Sequence, residues 1–115
     1  MDLRGYGASD KPPRGYDPYM GARDTAALIG ALGCSDAVIV GQGLGAGIAW
    51  CMPSFQPQVT RAIAALSMVH PRVMRKAYVG SRKQHKASRW IVDLQVPFAP
   101  DRGFARDDSY AERFL

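Results

Sequence analysis

Two short apolar runs dominate the middle of this sequence. Residues 37–40 (AVIV) are wholly apolar and mostly β-branched, without the alternation of a half-exposed strand. This pattern predicts a strand that is buried on both faces, as in a parallel sheet covered by helices on each side. Residues 61–68 predict a second strand less strongly, because alanine is a weak strand former.

Helical periodicity appears on both sides of the first strand. Asp17 and Pro18 suit the N-cap and first turn of a helix that Gly33 would end. The largely apolar face of this helix recurs at spacings of three and four residues, through Thr25, Leu28, Ile29 and Leu32. Residues 46–55 predict the next helix, and Pro53 should kink or end it.

The two ends of the chain differ from this middle part. Residues 5–16 are rich in Gly and Pro and predict a loop, with a strand stub at residues 2–3 before it. One or two helices are expected over residues 73–96, broken near Gly80 and stopped by the prolines at 97 and 100, and another over 109–115. The order helix, strand, helix, strand with short connections predicts an α/β fold.

Composition limits the chain to one small domain with a marginal core. It has 115 residues, of which 47% are hydrophobic, and a formal net charge of +5. Residues 71–92 contain seven Lys or Arg and no acidic residue. Such a run can attract phosphate or an anionic membrane, but the solvated face of a helix is the favoured interpretation. We therefore expect no membrane partner.

Cysteine and histidine positions predict no metal site. Cys34, Cys51, His70 and His85 are not clustered at the spacing of zinc ligands, and no cofactor is expected. Both cysteines are interpreted as reduced, buried small side chains. The first residues lack the apolar core of a signal peptide, and no apolar run approaches the ~20 residues that span a bilayer. A soluble, cytoplasmic protein is expected.

The turn after the first predicted strand is the candidate for chemistry. It consists of five residues in a Gly-x-x-x-Gly arrangement, Gly41, Gln42, Gly43, Leu44 and Gly45. A nucleophile in the middle of such a turn is held in a strained conformation, exposed above the sheet at a helix N-terminus. The outer glycines let strand and helix pass closely, and the Leu44 N–H is a candidate oxyanion donor.

Three segments together carry a family resemblance. Residues 2–12 (DLRGYGASDKP), residues 16–19 (YDPY) and residues 36–45 resemble the α/β-hydrolase fold family, and within it the epoxide hydrolase and haloalkane dehalogenase branch. Residues 67–71 (SMVHP) resemble the segment that leads from the sixth strand to the cap. The resemblance implies a partial α/β-hydrolase core over residues 1–70, including the elbow turn, and the start of a helical cap over residues 71–115.

The chain departs from this family at the elbow itself. The family places Asp or Ser at the centre of the turn, where this chain has Gly43, and often His where it has Gln42. Glycine offers no atom to attack an epoxide, an ester or a carbon–halogen bond. We therefore expect no catalytic residue in this chain and no hydrolase activity of the chain by itself.

Other parts of the family's machinery are expected outside residues 1–115. The resemblance implies an oxyanion loop before Met1, and an acid and a base histidine after Leu115. His70 and His85 come too early to be that base, although His70 could border the substrate cavity of a complete cap. A small-molecule substrate is expected only if missing segments complete the site. A truncated reading frame and a non-catalytic homologue both remain open.

A core with only two strands also has consequences for assembly. Strands without neighbours leave open edges that pair readily with other chains. We expect the chain to be loosely folded, self-associated or completed by another polypeptide.

The same glycines allow a second interpretation as a dinucleotide site. Gly41-x-Gly43-x-x-Ala46 follows a strand and opens a helix, as in the nucleotide-binding pattern. That pattern needs an acidic residue about 20 positions later to bind the ribose. Residues 61–70 contain none, and the next acidic residue is Asp93.

A third interpretation is a basic surface that binds nucleic acid. Arg82, Lys86 and Arg89 fall on one helical face beside Trp90. No known nucleic-acid-binding motif accompanies them, and Trp90 is expected to pack inward with Ile91 and Leu94. Nucleic acid is therefore an unlikely partner on the sequence alone.

Overall fold

The computed structural model describes residues 1–107, 109, 110 and 112. Its elements are α1 (Pro18–Ala31), β1 (Ala37–Gln42), α2 (Leu44–Phe55), a 3₁₀ turn (Pro57–Val59), β2 (Thr60–Leu66), α3 (Pro71–Gly80), α4 (Arg82–Asp93) and α5 (Ala99–Arg106). The predicted α/β order of helix, strand, helix and strand is confirmed from α1 to β2. The chain divides into two compact units, Met1–Pro71 and Arg72–Leu115.

Helix α1 has the caps that its sequence predicts. The Asp17 carboxylate accepts a hydrogen bond from the Met20 amide at 3.0 Å, and Pro18 stands in the first turn, where its missing N–H costs nothing. Gly33 adopts a φ of 75° just after the helix, a conformation that glycine takes without strain. The Asp17 cap and Pro18 therefore set the start of α1, and Gly33 sets its end.

Strands β1 and β2 form a parallel pair. Val38 lies opposite Ala62, and the register continues to Gln42 opposite Leu66. Ile39 and Ile63 face a small core on one side of this sheet. One core cluster combines the buried Ala22, Ile29 and Met52 with partly buried neighbours at Ala37, Ile39, Val59 and Ile63. Ala46, Ile48 and Ala49 of α2 are also buried.

The prediction that β1 is buried on both faces is wrong for this chain. Val38 and Val40 point away from the core, and their side chains are 54% and 64% exposed. Side chains alternate across a strand, and the helices of the first unit pack on the face of Ile39. The apolar run therefore has one covered face and one uncovered face.

Several boundaries differ slightly from expectation. Helix α2 begins two residues before the predicted start and ends at Phe55, two residues after Pro53. Residues 2–3 belong to no strand, so the predicted stub is wrong.

Two helices, α3 and α4, lie where the sequence predicts one or two helices over residues 73–96. Helices α3 and α4 are separated at Ser81, whose hydroxyl caps α4 by accepting from the Gln84 amide at 3.3 Å. Helix α5 was not expected, because Pro100 was interpreted as a stop. Pro100 lies instead in its first turn, where proline is favourable. The helix expected over 109–115 lies mostly outside the described residues, which include only 109, 110 and 112 of that range.

Candidate functional site

The glycine-rich turn lies between the end of β1 and the start of α2, as predicted. Its apex is Gly43, with a φ of 54° and a ψ of −120°, in a region that strains residues with a side chain. The Gly43 amide donates to the Leu66 carbonyl at 3.1 Å, which ties the apex to the end of β2. The Gly43 carbonyl accepts from Ala46 and Gly47 at 3.1 and 3.3 Å and so starts α2.

Strand and helix approach each other most closely at Gly41. This residue is buried, and a Cβ built on it would overlap the backbone carbonyl group of Gly45 and lie 2.7 Å from the Ala46 nitrogen. A side chain at position 41 would push α2 away from β1. Glycine at this position is therefore a steric requirement of the turn.

The space at the apex is open. Apart from its chain neighbours, a Cβ built on Gly43 would have no heavy atom within 4 Å among the described residues, and the same holds for Gly45 apart from the backbone of α2 itself. Gln42 and Leu44, on either side of the apex, are exposed. The backbone therefore has the shape that presents a side chain to the surroundings, but residue 43 contributes only a hydrogen atom.

The segment after β2 packs across α2. The Trp50 indole N–H donates to the Met68 carbonyl at 3.1 Å, and the His70 ring contacts the Trp50 ring edge-to-face with centroids 5.1 Å apart. His70 is thereby held beside α2, half buried. That His70 borders a substrate cavity stays a prediction.

Ser67 is a feature that sequence reasoning missed. It is a non-glycine residue with a φ of 64°, directly after β2, and it is exposed. Because the Gly43 amide bonds to the preceding carbonyl of Leu66, Ser67 follows the strand end that adjoins the elbow. Serine carries no sequence signal for a positive φ, so only the tertiary structure could reveal this conformation.

The loop before α1 is anchored by an ion pair. The Arg4 guanidinium makes two parallel hydrogen bonds to the Asp24 carboxylate, Nε to Oδ2 at 2.8 Å and Nη2 to Oδ1 at 2.7 Å. The hydrogen bond to Asp24, supported by its charge, raises the pKa of Arg4 above its ordinary value. Arg4 is therefore a positioning residue for the loop over residues 2–16.

The cysteines do not match their predicted burial. Cys34 is exposed in the turn after α1, and Cys51 is half buried on α2. Burial raises the pKa of the Cys51 thiol. Within the described residues, no three His, Cys, Asp or Glu side chains converge in a way that could hold a metal ion.

Taken together, a parallel β1–β2 pair, helices packed on it and a sharp glycine turn at the strand end define an α/β protein with a nucleophile-elbow type of turn. The model of the alpha/beta hydrolase family matches residues 1–115. The chain belongs to this family.

Individual relatives support the epoxide hydrolase branch. The chain is 30% identical over 110 residues to AB hydrolase superfamily protein YfhM of Bacillus subtilis, covering 93% of this chain and 38% of that protein. It is 27% identical over 110 residues to human Epoxide hydrolase 4, covering 94% of this chain and 30% of that protein.

A solved structure gives the same result. A mutant epoxide hydrolase from Bacillus megaterium superposes with a TM-score of 0.77 at 29% identity, covering 96% of this chain and 39% of that one. The resemblance to the epoxide hydrolase branch is thus confirmed. The chain spans between 30% and 39% of the length of these three proteins.

The family match does not favour the dinucleotide interpretation. A ribose-binding acid would be expected at the carboxyl end of the neighbouring strand. In this chain that end is followed by residues 67–70 (SMVH), which include no carboxylate.

No helix within the described part of the chain combines the length and the apolar character needed to cross a membrane.

Proposed function

We propose that this chain is an epoxide-hydrolase-like member of its family that keeps the elbow backbone and performs no hydrolysis by itself. The observation that supports this proposal is the identity of residue 43. An elbow carboxylate or hydroxyl attacks the substrate carbon in a covalent mechanism. At Gly43 there is neither, although the turn around it has the conformation and the open space that such a side chain would need.

The polar side chains at the other end of β1 do not replace the missing nucleophile. Cys34 and Ser35 precede this strand, whereas the elbow follows it. Six strand residues separate the two ends by about 20 Å, which is far outside the reach of a nucleophile. Ser67 is the hydroxyl that follows the neighbouring strand end, and it therefore needs its own control in any activity test.

The proposal is tested by incubating the purified chain with an aryl glycidyl ether and, separately, with a p-nitrophenyl ester. We expect hydrolysis no faster than in buffer for the wild-type chain and for the variants Gly43→Ala and Ser67→Ala. Wild-type hydrolysis that is lost in Gly43→Ala would show a reaction centred on the elbow, and hydrolysis that is lost in Ser67→Ala would assign the nucleophile to that serine. Either result would overturn the proposal.

A gain-of-function variant tests the elbow geometry directly. In Gly43→Asp, a carboxylate oxygen would attack an epoxide carbon, the ring C–O bond would break, and the alkoxide would take a proton from water, which leaves an ester adduct. We expect mass spectrometry to find this adduct on residue 43. Gly45→Asp is the matched control, because it adds the same group two residues away, also in open space. Equal labelling of both variants would show that the turn does not position a nucleophile.

A further inference from the structure

Helices α3 and α4 combine positive charge with exposed apolar side chains. Residues 71–92 carry seven Lys or Arg and no acidic residue. Each helix of this stretch has a half-buried side and an exposed side. The exposed sides are where a partner would make contact, and none of their residues belongs to the glycine-rich turn.

On α3, the exposed side places an aliphatic residue among cations. Val79 is 81% exposed and follows Arg75 and Lys76 by four and three residues, so the three share one helix face. Met74 and Tyr78 lie on the other, half-buried side. The two cations and Val79 line part of an open groove along this helix.

On α4, the exposed side places an aromatic residue among cations. Lys83, Lys86 and Trp90 are exposed, and their spacings of three and four residues put them on one face. Trp90 is 46% exposed, so the expectation that it packs inward is wrong. On the opposite side of α4, the Gln84 side chain donates to the hydroxyl of the buried Ser88 at 2.6 Å, one helical turn along the same helix.

We propose that these two exposed helix faces, Arg75, Lys76 and Val79 on α3 and Lys83, Lys86 and Trp90 on α4, together called the basic surface, bind an anionic lipid bilayer. Lys and Arg side chains are attracted to anionic headgroups, while their apolar stems lie along the lipid boundary. Tryptophan favours that boundary because its ring is amphipathic. Exposed apolar side chains between the cations are typical of helices that lie in the membrane interface.

The exposed apolar residues favour a lipid surface over nucleic acid. The phosphate backbone of a nucleic acid would contact only the cations and would leave the Val79 side chain in water. A bilayer interface accepts both kinds of side chain. Arg89 is left out of the surface, because it pairs with Asp93 at 3.5 Å.

The test measures co-sedimentation of the full chain with sucrose-loaded vesicles. We expect binding to phosphatidylcholine vesicles that contain phosphatidylglycerol, no binding to pure phosphatidylcholine, and loss of binding at about 1 M salt, where charges are screened within about 3 Å. The double variant Lys83→Gln with Lys86→Gln should lower the partition coefficient about thirtyfold, because each cation contributes a factor of about five. Lys83→Arg with Lys86→Arg should bind like wild type.

The matched control removes two exposed cations elsewhere, Arg14→Gln with Arg102→Gln. This variant has the same net charge as the first double variant. Its partition coefficient should stay within about threefold of the wild-type value, which is a smaller loss than removal of one cation from the proposed surface would cause. An equal loss in both double variants would show attraction by net charge alone and would overturn the assignment to this surface.

Tryptophan fluorescence locates the contact. Anionic vesicles should shift the emission of the chain to shorter wavelength as Trp90 leaves water. In Trp90→Phe the shift should vanish while sedimentation persists, since the Trp50 indole is already half buried and hydrogen-bonded to the Met68 carbonyl. A shift that survives in Trp90→Phe would overturn the assignment of the contact to α4.

Three other outcomes would overturn the proposal as a whole. Absence of binding to anionic vesicles would do so. Equal binding to pure phosphatidylcholine would show adhesion of exposed apolar groups only. The last outcome concerns a single-stranded oligonucleotide. If the chain binds it at least as strongly as it binds vesicles, and if the same lysine variants weaken that binding, the surface would be assigned to nucleic acid.

Discussion

The carbonyl group of Gly45 lies against the Cα atom of Gly41, in the place where a side chain at position 41 would stand. This contact lets α2 begin directly after β1, with the apex at Gly43 between them. The two glycines flanking the apex therefore have different roles. Gly41 is needed for close packing, whereas the space around the Cα of Gly45 is open.

The first prediction follows from this difference. Gly41→Ala should lower the free energy of unfolding by about 3 kcal/mol, because the added methyl group collides with backbone atoms that cannot rotate away. Urea unfolding followed by circular dichroism would measure the change.

Gly45→Ala is the control for this substitution. It adds the same methyl group in the first turn of α2, where it meets no other atom, and alanine is favoured over glycine in helices by up to about 1 kcal/mol. We expect unchanged or increased stability. Equal losses in both variants would contradict the close approach of strand and helix.

The second prediction concerns the uncovered face of the sheet. Val40 is 64% exposed there, and both strands have an open edge. We expect the chain to self-associate through this face, because open strands and apolar surface both favour pairing. Val40→Lys should reduce the association seen in sedimentation velocity and change stability by no more than about 0.5 kcal/mol.

Ile39→Lys is the matched control, since Ile39 is the adjacent residue on the core face. It should cost about 3 kcal/mol, because it removes an apolar contact and brings a charge to the core. The hypothesis fails if the wild-type chain sediments as a monomer at high concentration, or if Val40→Lys leaves its association unchanged.

The third prediction concerns the Arg4–Asp24 pair. Lysine keeps the charge but cannot make two parallel hydrogen bonds to one carboxylate. Arg4→Lys should therefore lower the thermal unfolding midpoint, and adding Asp24→Asn should lower it little further, because both changes break the same interaction.

Arg14→Lys provides the reference, since Arg14 lies in the same loop and is exposed. It should leave the midpoint unchanged. Fully additive losses for Arg4→Lys and Asp24→Asn would mean that the pair does not anchor the loop.

The fourth prediction concerns the two thiols. Cys34 is exposed, whereas Cys51 is half buried and burial raises the pKa of its thiol. Because the thiolate is the reactive form, iodoacetamide should alkylate Cys34 well before Cys51 in the folded chain. Peptide mapping by mass spectrometry would measure both rates, and in denaturant the two should become similar.

The raised pKa of the Cys51 thiol also predicts how the stability of the chain depends on pH. A pKa that is higher in the folded than in the unfolded chain means that the unfolded thiol ionises first as the pH rises. The stability that the protonated Cys51 thiol contributes is therefore complete at a pH below the ordinary pKa of a thiol. It is lost as the pH rises through the pKa of the folded chain, so the free energy of unfolding should fall above about pH 9. Cys51→Ala should show a smaller fall. Identical alkaline profiles would contradict this assignment.

Local chemistry predicted the elements whose ends depend on neighbouring residues. Asp17, Pro18 and Gly33 set the limits of α1, and α3 ends at Gly80, where the sequence predicts a break. Helix α5 was missed because Pro100 is compatible both with a stop and with a first helical turn. Which of the two applies depends on where the chain runs next, and local sequence does not specify that.

The sequence by itself determined the order from α1 to β2, the position of the glycine-rich turn and the absence of a side chain at residue 43, because all three depend on neighbouring residues or on a single residue. The tertiary structure alone decided which face of β1 is covered, the close approach of Gly41 and Gly45, the positive φ of Ser67 and the exposure of Trp90. Burial and close contact depend on residues that are distant along the chain. The same apolar residue is a core residue or a surface residue according to which helix packs on it.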